Sequence, residues 1–352
     1  MNRRVLFPSL LIVIAIIVAS ILVLGRPANK EETSIISDDS PSIPKRGFFI
    51  GVLPIPGDNQ SFEDAYAQSA QYSDFSPVWG RPSPFYNFAG DLSTDWGKTF
   101  VERYIRGNGM FPLIQLSFIG QGMTLSTPPN IKDASLSNPA WREAYKQAVI
   151  DVVKASHPLY LSIGNEVNRW YEKYGAKEGD PNGFQHYVSL YYEIYDAVKA
   201  ISPGTKVFCT FAREIVSENR EADLNVLTMF NSDKVDVLVF TSYPYAVRGI
   251  NRPSDLPDDY YSKASNYMPD KPFGFSELGW PSSSIFGGEQ AQADFISQVV
   301  ERLTRSRGVN LHLLGWAWLH DLNGNDHVGL IRRDGGEKLA YEVWKELSGS
   351  GG

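Results

Sequence analysis

The sequence is almost without cysteine: one thiol, Cys209, occurs in 352 residues. A single thiol excludes an intramolecular disulfide and a metal site built from several thiolates. No cysteine directly follows the N-terminal apolar run, which excludes a lipoprotein anchor there. Cys209 itself lies in the strand-like segment KVFCTF, where a small buried apolar residue is the simplest interpretation.

Positive charge is also in short supply, with 33 Lys and Arg against 40 Asp and Glu and a formal net charge of −7. No basic patch is present, so a nucleic-acid partner is not expected, and a neutral or weakly charged partner fits better. The five histidines show no HExxH spacing. The acidic stretch that begins at Asp321 departs from the EF-hand pattern, because Asp326 stands where glycine is needed and Arg332 where the bidentate glutamate belongs. Neither a metal nor a cofactor is expected.

One long apolar run is present at residues 5–25, without a charge and preceded by two arginines. About 20 such residues are enough to span a bilayer, whereas the apolar core of a cleaved signal has about 7–15. We therefore expect an uncleaved signal anchor that leaves the rest of the chain outside the cytoplasm, with a cleaved signal and secretion as the alternative. The remaining divisions are a flexible linker at 26–46, a catalytic domain at 47–347 and a flexible tail at 348–352.

Strand-like and helix-like segments alternate through this domain. Strands are predicted at residues 47–55, 72–79, 110–118, 158–166, 205–211, 235–243, 271–277 and 311–318. Helices are predicted at residues 62–71, 96–106, 139–156, 184–201, 224–230, 258–267, 290–306 and 337–347. Eight such pairs in about 300 residues predict an α/β protein with a (β/α)8 TIM barrel. A doubly wound sheet is the alternative, but no GxGxxG or GxxxxGK[ST] follows the first strand.

Two of the predicted strands end in a carboxylate. The fourth runs into Glu166 in LYLSIGNEVNRW, and the seventh into Glu277 in KPFGFSELGW. Glutamate is rarely buried unless it is paired or used, and in this barrel the carboxyl ends of the strands face the active-site mouth. Two carboxyls held together separate their proton affinities, so one can give a proton to a glycosidic oxygen while the other attacks the anomeric carbon. Each alone is more simply a partner in an ion pair.

The chain resembles the retaining (β/α)8 glycosidases of glycoside hydrolase clan A. Asn165-Glu166 matches their Asn-Glu motif on strand four, and Glu277 matches their glutamate at the end of strand seven. The segments IGNEV, SELGWPSS and YPY (243–245) are most similar to β-1,3-glucanases of the plant and fungal type, followed by endo-β-1,4-galactanases. LGWAWLHD differs from the usual ending of the first group and is more similar to other families of the clan. The order and spacing of elements agree over residues 47–347.

This resemblance implies roles for individual residues. Glu166 would be the acid/base and Glu277 the nucleophile, and Asn165 would bind the sugar 2-hydroxyl. Tyr243 would donate its hydroxyl to Glu277. Trp316 or Trp318 would form the floor of the site, and Arg81 would orient the nucleophile. Simpler alternatives are a polar turn residue for Asn165, a packing aromatic for Tyr243 and a loop ion pair for Arg81.

Aromatic side chains cluster at or just after the predicted strand ends. Flat rings offer sugars a large contact area, so we expect about half of these to contact substrate. His320, after the eighth strand, is a further subsite candidate. The aromatic residues concerned are Trp79, Tyr86, Trp170, Tyr171, Tyr245, Trp280, Trp316 and Trp318.

The expected function is therefore that of a retaining β-glycosidase, endo-acting on a β-linked polysaccharide, with β-1,3-glucan favoured. A transglycosylase that remodels an envelope glycan with the same two glutamates is an alternative. A non-catalytic glycan-binding barrel is another, although binding alone does not require paired glutamates.

Overall fold

The computed structural model describes residues 41–79, 84–324 and 326–349. The predicted anchor, most of the predicted linker, Arg81 and the last three residues of the tail lie outside this part of the chain. Among the helices of the described ranges, none is both long enough and apolar enough to cross a membrane.

Eight parallel strands form a closed ring, as predicted, and the doubly wound alternative is wrong. Strand β8 pairs with β1 to close the ring. Strand β5 is interrupted at Cys209, so that its first half pairs with β4 and its second half with β6. The strands are β1 (Phe49–Val52), β2 (Phe75–Trp79), β3 (Phe111–Gln115), β4 (Tyr160–Ser162), β5 (Lys206–Phe208 and Thr210–Ala212), β6 (Leu238–Ser242), β7 (Pro272–Leu278) and β8 (Asn310–Trp316).

Helices surround the ring. The longest begin and end close to their predicted limits, and α4 starts at a side-chain cap in which Asn138 Oδ1 accepts from the N–H groups of Ala140 and Trp141. The helices are α1 (Phe62–Ala70), α2 (Phe85–Ser93), α3 (Asp95–Gly97 continued by the π-helical Lys98–Ile105), α4 (Pro139–Ser156), α5 (Asn168–Tyr174), α6 (Phe184–Ile201), α7 (Ser262–Ser265), α8 (Gly288–Arg305) and α9 (Leu339–Ser348).

Four helices differ from the prediction. Helices α2 and α5 were not predicted, and both lie in segments that follow a strand end directly. The helix predicted at 258–267 is reduced to α7, and the one predicted at 224–230 is the 3-10 segment Leu224–Met229. Short amphipathic segments such as these are decided by the surfaces on which they pack rather than by their own propensity.

The ring encloses a small apolar core of its own, and a larger one lies between the strands and the helices. The interior core consists of Phe49, Phe75, Leu113, Tyr160, Phe208, Val237, Val239 and Leu313. Alternate residues of a strand share a face, so Gln115, two after Leu113, and Thr241, two after Val239, continue this interior surface. The interior therefore changes from apolar to polar toward the carboxyl ends of the strands, where TIM barrels carry their active sites.

Candidate active site

The end of β4 is fixed by two tyrosines from the surrounding helices. Tyr145 of α4 and Tyr187 of α6 donate hydrogen bonds of 2.9 and 3.1 Å to the carbonyl oxygen of Ile163. A Cβ atom at Gly164 would lie 2.3 Å from the Tyr187 hydroxyl and 2.5 Å from Cγ1 of Val167. Only glycine fits there, so the chain leaves the strand at a fixed place, two residues before the first glutamate.

Glu166 follows with a backbone φ of +49°, in the left-handed region that residues with a side chain seldom occupy. Its N–H donates to Oγ1 of Thr210 (2.9 Å), and that hydroxyl donates to Oδ1 of Asn165 (2.5 Å). Thr210 on β5 thus orients the amide of Asn165 and the backbone of Glu166 together. Backbone strain of about 1–3 kcal/mol, held by its surroundings, is a common feature of functional sites.

The carboxylate of Glu166 has a partner on each oxygen. Oε1 accepts a 2.7 Å hydrogen bond from Oγ1 of Thr241 on β6. Oε2 forms a 2.6 Å ion pair with Nη1 of Arg169, in the first turn of α5. The Glu166 side chain remains 22% exposed and that of Arg169 41% exposed. The carboxylate of Glu166 is therefore held by Thr241 of β6 through Oε1, and it is partly exposed to solvent near Arg169.

A β-bulge turns Glu277 into the barrel. Phe275 belongs to the core outside the ring, so strict alternation would point Glu277 outward as well. The pairing register shifts at this point: Phe240 pairs with Phe275, but the next residue, Thr241, pairs with Glu277. Ser276 is the extra residue, and it reverses the face on which the following side chain lies.

Glu277 is 8% exposed, and its Oε2 accepts a 2.8 Å hydrogen bond from the hydroxyl of Tyr243. Burial and the charge of Glu166 raise the pKa of Glu277 to about 8, against the lowering effect of the Tyr243 hydrogen bond. Thr241 stands beside Glu277 in register and also donates to Glu166, so both glutamates meet at the end of β6. The structure thus brings together the two predicted carboxylates, Asn165 and Tyr243.

Three of the predicted tryptophans are packed in the core. Trp170, Trp280 and Trp316 are at most 1% exposed. Their indole N–H groups donate to backbone carbonyls of Asn182, Phe286 and Val328, respectively. A side chain enclosed in this way offers no surface to a sugar, so the expectation that these three bind substrate is corrected.

Two other tryptophans meet at the mouth of the barrel. The rings of Trp79, at the end of β2, and Trp318, after β8, are 6.4 Å apart in an edge-on arrangement. Both indole nitrogens are buried and have no hydrogen-bond partner among the described residues. Unpaired buried donors are uncommon in proteins, and at the mouth these two N–H groups are available to a ligand. Tyr245, Tyr86 and Tyr171 are half-buried.

Sequence reasoning missed Gln115, at the end of β3. It is buried and pairs in register with Trp79 on one side and Ser162 on the other. Neither its Oε1 nor its Nε2 has a hydrogen-bond partner among the described residues. The alternation of Leu113 and Gln115 is the signal that places it on the interior face near the mouth.

His320 lies at the edge of this region, after β8. Its Nδ1 donates 2.8 Å to the carbonyl of Ile55, and burial lowers its pKa. The ring lines an open polar cavity of about 350 Å³ between the loops that follow β1 and β8, together with Asp58, Asn59 and Gln60. The subsite expected at His320 therefore has space beside it.

The acidic loop after β8 is occupied by a cation of the chain itself. Asp321 pairs at 2.7 Å with Lys338, which also donates to the carbonyl of Gly329. Asp326 accepts from the backbone N–H of Val328. Within residues 41–79, 84–324 and 326–349, no group of three or more His, Cys, Asp or Glu side chains is arranged to hold a metal ion.

A second residue missed from the sequence is Glu214, which begins the loop after β5. It is buried, and its two oxygens accept from the Tyr243 N–H (2.6 Å), the Ser242 hydroxyl (2.9 Å) and the Tyr260 hydroxyl (2.7 Å). Burial raises its pKa to about 7, although the charge of Arg213 and these hydrogen bonds lower it. Nothing in the segment AREIVSEN predicted this arrangement, because the partners come from elements 28 to 46 residues away.

Comparison with solved structures gives many similar barrels. A GH5_18 enzyme from Streptomyces cattleya, in complex with GlcNAc, has a TM-score of 0.61 and 14% identity, over 86% of this chain and 80% of that one. A family 39 glycoside hydrolase from Bacteroides cellulosilyticus WH2 has a TM-score of 0.59 and 15% identity, over 88% and 65%. A β-glucuronidase from Bifidobacterium dentium has a TM-score of 0.54 and 13% identity, over 86% of this chain and 46% of that one.

No protein-family model matches the chain, and no curated protein sequence does. Identities of 13–15% establish a shared architecture rather than a shared substrate. The three structures are glycoside hydrolases of clan A, so the chain has the (β/α)8 fold of that clan.

Proposed function

We propose that the protein is a retaining β-glycosidase in which Glu166 and Glu277 cleave a β-linked glycan. The observation that carries this proposal is the meeting of both carboxylates at the end of β6, where one side chain, Thr241, adjoins Glu277 and binds Glu166. Two carboxyls held together separate their proton affinities, and glycoside hydrolysis needs one protonated and one ionised carboxyl. The shared clan A fold supports the same reaction.

In the proposed reaction, Glu277 attacks the anomeric carbon while Glu166 protonates the departing glycosidic oxygen. A covalent glycosyl-enzyme forms, and the aglycone leaves. Glu166, now ionised, takes a proton from water, which attacks the same carbon and releases Glu277. Both inversions together retain the anomeric configuration.

Proton placement in the free protein differs from that required for attack. Its raised pKa keeps Glu277 largely protonated at neutral pH, whereas the attacking carboxylate must be ionised. Glu166, the proposed acid, lies in a 2.6 Å ion pair with Arg169 in the free protein. We assign the change to substrate binding: Glu277 must lose its proton before it attacks, and Glu166 must supply one to the departing oxygen.

A β-glucan is the first substrate to test, and the sequence motifs favour the β-1,3 linkage. The long segments after β2 and β3 favour an endo action, because they could form a groove that holds several sugar units. The comparison adds a second class. One GH5_18 structure from Streptomyces cattleya contains Manβ1-4GlcNAc, and it has a TM-score of 0.59 and 13% identity to this chain. β-1,4-Linked mannosyl glycans therefore belong in the same panel.

The decisive experiment is digestion of a glycan panel followed by mass spectrometry, with Glu277→Ala as the inactive reference. Shortened products from the unmodified protein alone would support hydrolysis. Chain-lengthened products would indicate a transglycosylase. Binding that changes in Glu166→Gln and Glu277→Gln, without turnover of any glycan tested, would indicate a glycan-binding barrel and overturn the proposal.

We also propose that residues 5–25 tether the catalytic domain outside the cytoplasmic membrane. The support is their uninterrupted apolar composition after two arginines. Membrane fractionation of the full chain tests this, with a chain that starts at residue 41 as control. Recovery of the full chain in the soluble fraction at its original N-terminus would overturn it.

A further inference from the structure

Glu214 is a buried carboxylate that the proposed reaction does not use. It is 4% exposed and lies at the start of a short antiparallel hairpin, Glu214–Ile215 with Arg220–Glu221, that follows β5. Burying a carboxylate is costly unless it is paired and hydrogen-bonded. An apolar residue would serve there if filling space were the only requirement.

Its hydrogen bonds converge on the end of β6. Oε2 accepts from the backbone N–H of Tyr243 at 2.6 Å, and Oε1 accepts from the hydroxyls of Ser242 and Tyr260. Hydrogen bonds to an ionised acceptor are about twice as strong as those between neutral groups. The carboxylate therefore helps to fix the backbone of Tyr243, together with the Gly279 N–H, which donates to the carbonyl of Ser242.

A cation supports the charge from the other side. Arg213 is fully buried and lies 4.1 Å above the ring of Tyr260. Its Nη2 pairs with Glu221 at 2.6 Å, and Glu221 also pairs with Lys263 at 2.8 Å. The group is a connected network in which Glu214 is the member whose side chain binds the end of β6.

Tyr243 is also the residue that donates to Glu277. A displacement of its backbone moves its hydroxyl, which lies 2.8 Å from Oε2 of Glu277. The ring has little freedom to compensate, because a Cβ atom at Gly279 would lie only 2.8 Å from its edge. Glu214 is thus linked to the proposed nucleophile through Tyr243: one hydrogen bond joins Glu214 to the Tyr243 N–H, and another joins the Tyr243 hydroxyl to Glu277.

We propose that Glu214 is a positioning residue: it holds the backbone of Tyr243 so that the tyrosine hydroxyl orients Glu277 for attack. This inference rests on the proposed function, since it assigns Glu214 a role through the nucleophile. Displacing the tyrosine changes how well Glu277 is aimed in the transition state, so the effect falls on kcat rather than on KM.

The test is Glu214→Asp, which keeps the charge beside Arg213 but shortens the side chain so that it cannot reach the Tyr243 N–H. We expect kcat to fall about 10- to 100-fold, the range for loss of one hydrogen bond to a charged group, with KM within about twofold. Glu214→Gln keeps the length, and its amide can still accept from Tyr243, so we expect it to retain most of the activity. Glu221→Asp is the matched control: it shortens the other glutamate of the network but keeps its charge beside Arg213 and Lys263, and because Glu221 does not bind Tyr243 we expect kcat to stay within about twofold.

A double-mutant cycle separates positioning from general stability. In a Tyr243→Phe background the hydroxyl is gone, so Glu214→Asp should have no further effect on kcat. An equal fall in both backgrounds, or an effect no larger than that of Glu221→Asp, would overturn the inference. If Glu214→Asp does not fold, the same cycle run with Glu214→Leu, which keeps the volume but accepts no hydrogen bond, decides by whether its fall in kcat vanishes in the Tyr243→Phe background.

Failure of the proposed function gives a different result. If the protein is not a glycosidase, the panel digestion gives no products from the unmodified protein or from any variant at position 214. Hydrogen exchange of the Tyr243 amide, measured by NMR, does not require turnover, and it should accelerate in Glu214→Asp but not in Glu221→Asp. Unchanged exchange would overturn the contact on which the inference stands.

Discussion

The hydroxyl of Tyr243 lies 2.8 Å from Oε2 of Glu277, and it reaches there from the neighbouring strand. The bond orients the carboxylate and favours its charged form, while burial and the charge of Glu166 oppose ionisation. The balance between these effects decides how the pair of glutamates holds its proton, and several consequences can be measured.

Replacing Glu277 by alanine should abolish essentially all turnover, because no other carboxylate takes the place of the nucleophile. Added azide should partly restore cleavage of activated aryl glycosides and give products of inverted anomeric configuration, as NMR would show. The control is Glu218→Ala, which removes an exposed carboxylate of the loop after β5. Absence of rescue on every activated substrate would count against Glu277 as nucleophile.

Replacing Glu166 by alanine should depend on the leaving group. Formation of the glycosyl-enzyme from a dinitrophenyl glycoside needs little protonation, so its rate should change far less than that for an unactivated glycan. Azide should attack the accumulated intermediate and give a product of retained configuration. Equal losses on both substrates would contradict the acid/base assignment.

Tyr243→Phe should shift the pH dependence of kcat/KM. The hydrogen bond from Tyr243 lowers the pKa of Glu277, so its loss raises that pKa further above about 8. Attack needs the ionised carboxylate, so the acidic limb should move to higher pH by about half to one unit, as expected for a hydrogen bond of about 1 kcal/mol. Tyr245→Phe, whose ring lies edge-on to Tyr243, is the control with no expected shift.

Glu277→Gln should stabilise the protein at alkaline pH. Its pKa is raised from 4.5 to about 8 on folding, so the wild-type carboxyl loses its favourable contribution as the pH rises through about 8. Glutamine stays neutral, and the variant should be more stable by about 2–4 kcal/mol at pH 9, with little difference at pH 4. Thermal unfolding across this range is the measurement, with Glu218→Gln as control. A difference that does not grow with pH would contradict the raised pKa.

Gln115→Leu should separate stability from activity. Both polar atoms of Gln115 are buried without a partner in the described chain, so the apolar variant should be as stable as the original or more so, by about 1 kcal/mol. If the amide binds a sugar hydroxyl, kcat/KM should fall about 10- to 100-fold. Gln292→Leu is the contrast, because the Nε2 of that buried glutamine donates to the carbonyls of Trp280 and Val328 and its loss should lower the melting temperature. Unchanged kcat/KM in Gln115→Leu would remove it from the site.

The local pattern of the sequence predicted the barrel and its two glutamates. Alternation of β-rich and helical segments is a property of short windows, and it located all eight strands and the long helices α4 and α6. It gave β4 as residues 158–166, whereas the part with regular pairing to β3 and β5 is Tyr160–Ser162. The ends of a strand depend on the neighbouring strands with which it pairs, and a short window of sequence does not contain those strands.

Which side chains face the site was decided by the tertiary structure. Alternation alone would point Glu277 away from the barrel, and the bulge at Ser276 reverses it. Burial removed Trp316 from the expected floor of the site. Glu214 has its role only because Tyr243 and Tyr260 are brought to it from distant segments. The sequence by itself determined that eight strands form and that two of them end in glutamate, since those are local properties. The closed ring decided which side chains meet, since packing between distant segments sets the distances between the side chains and, through burial and neighbouring charge, their proton affinities.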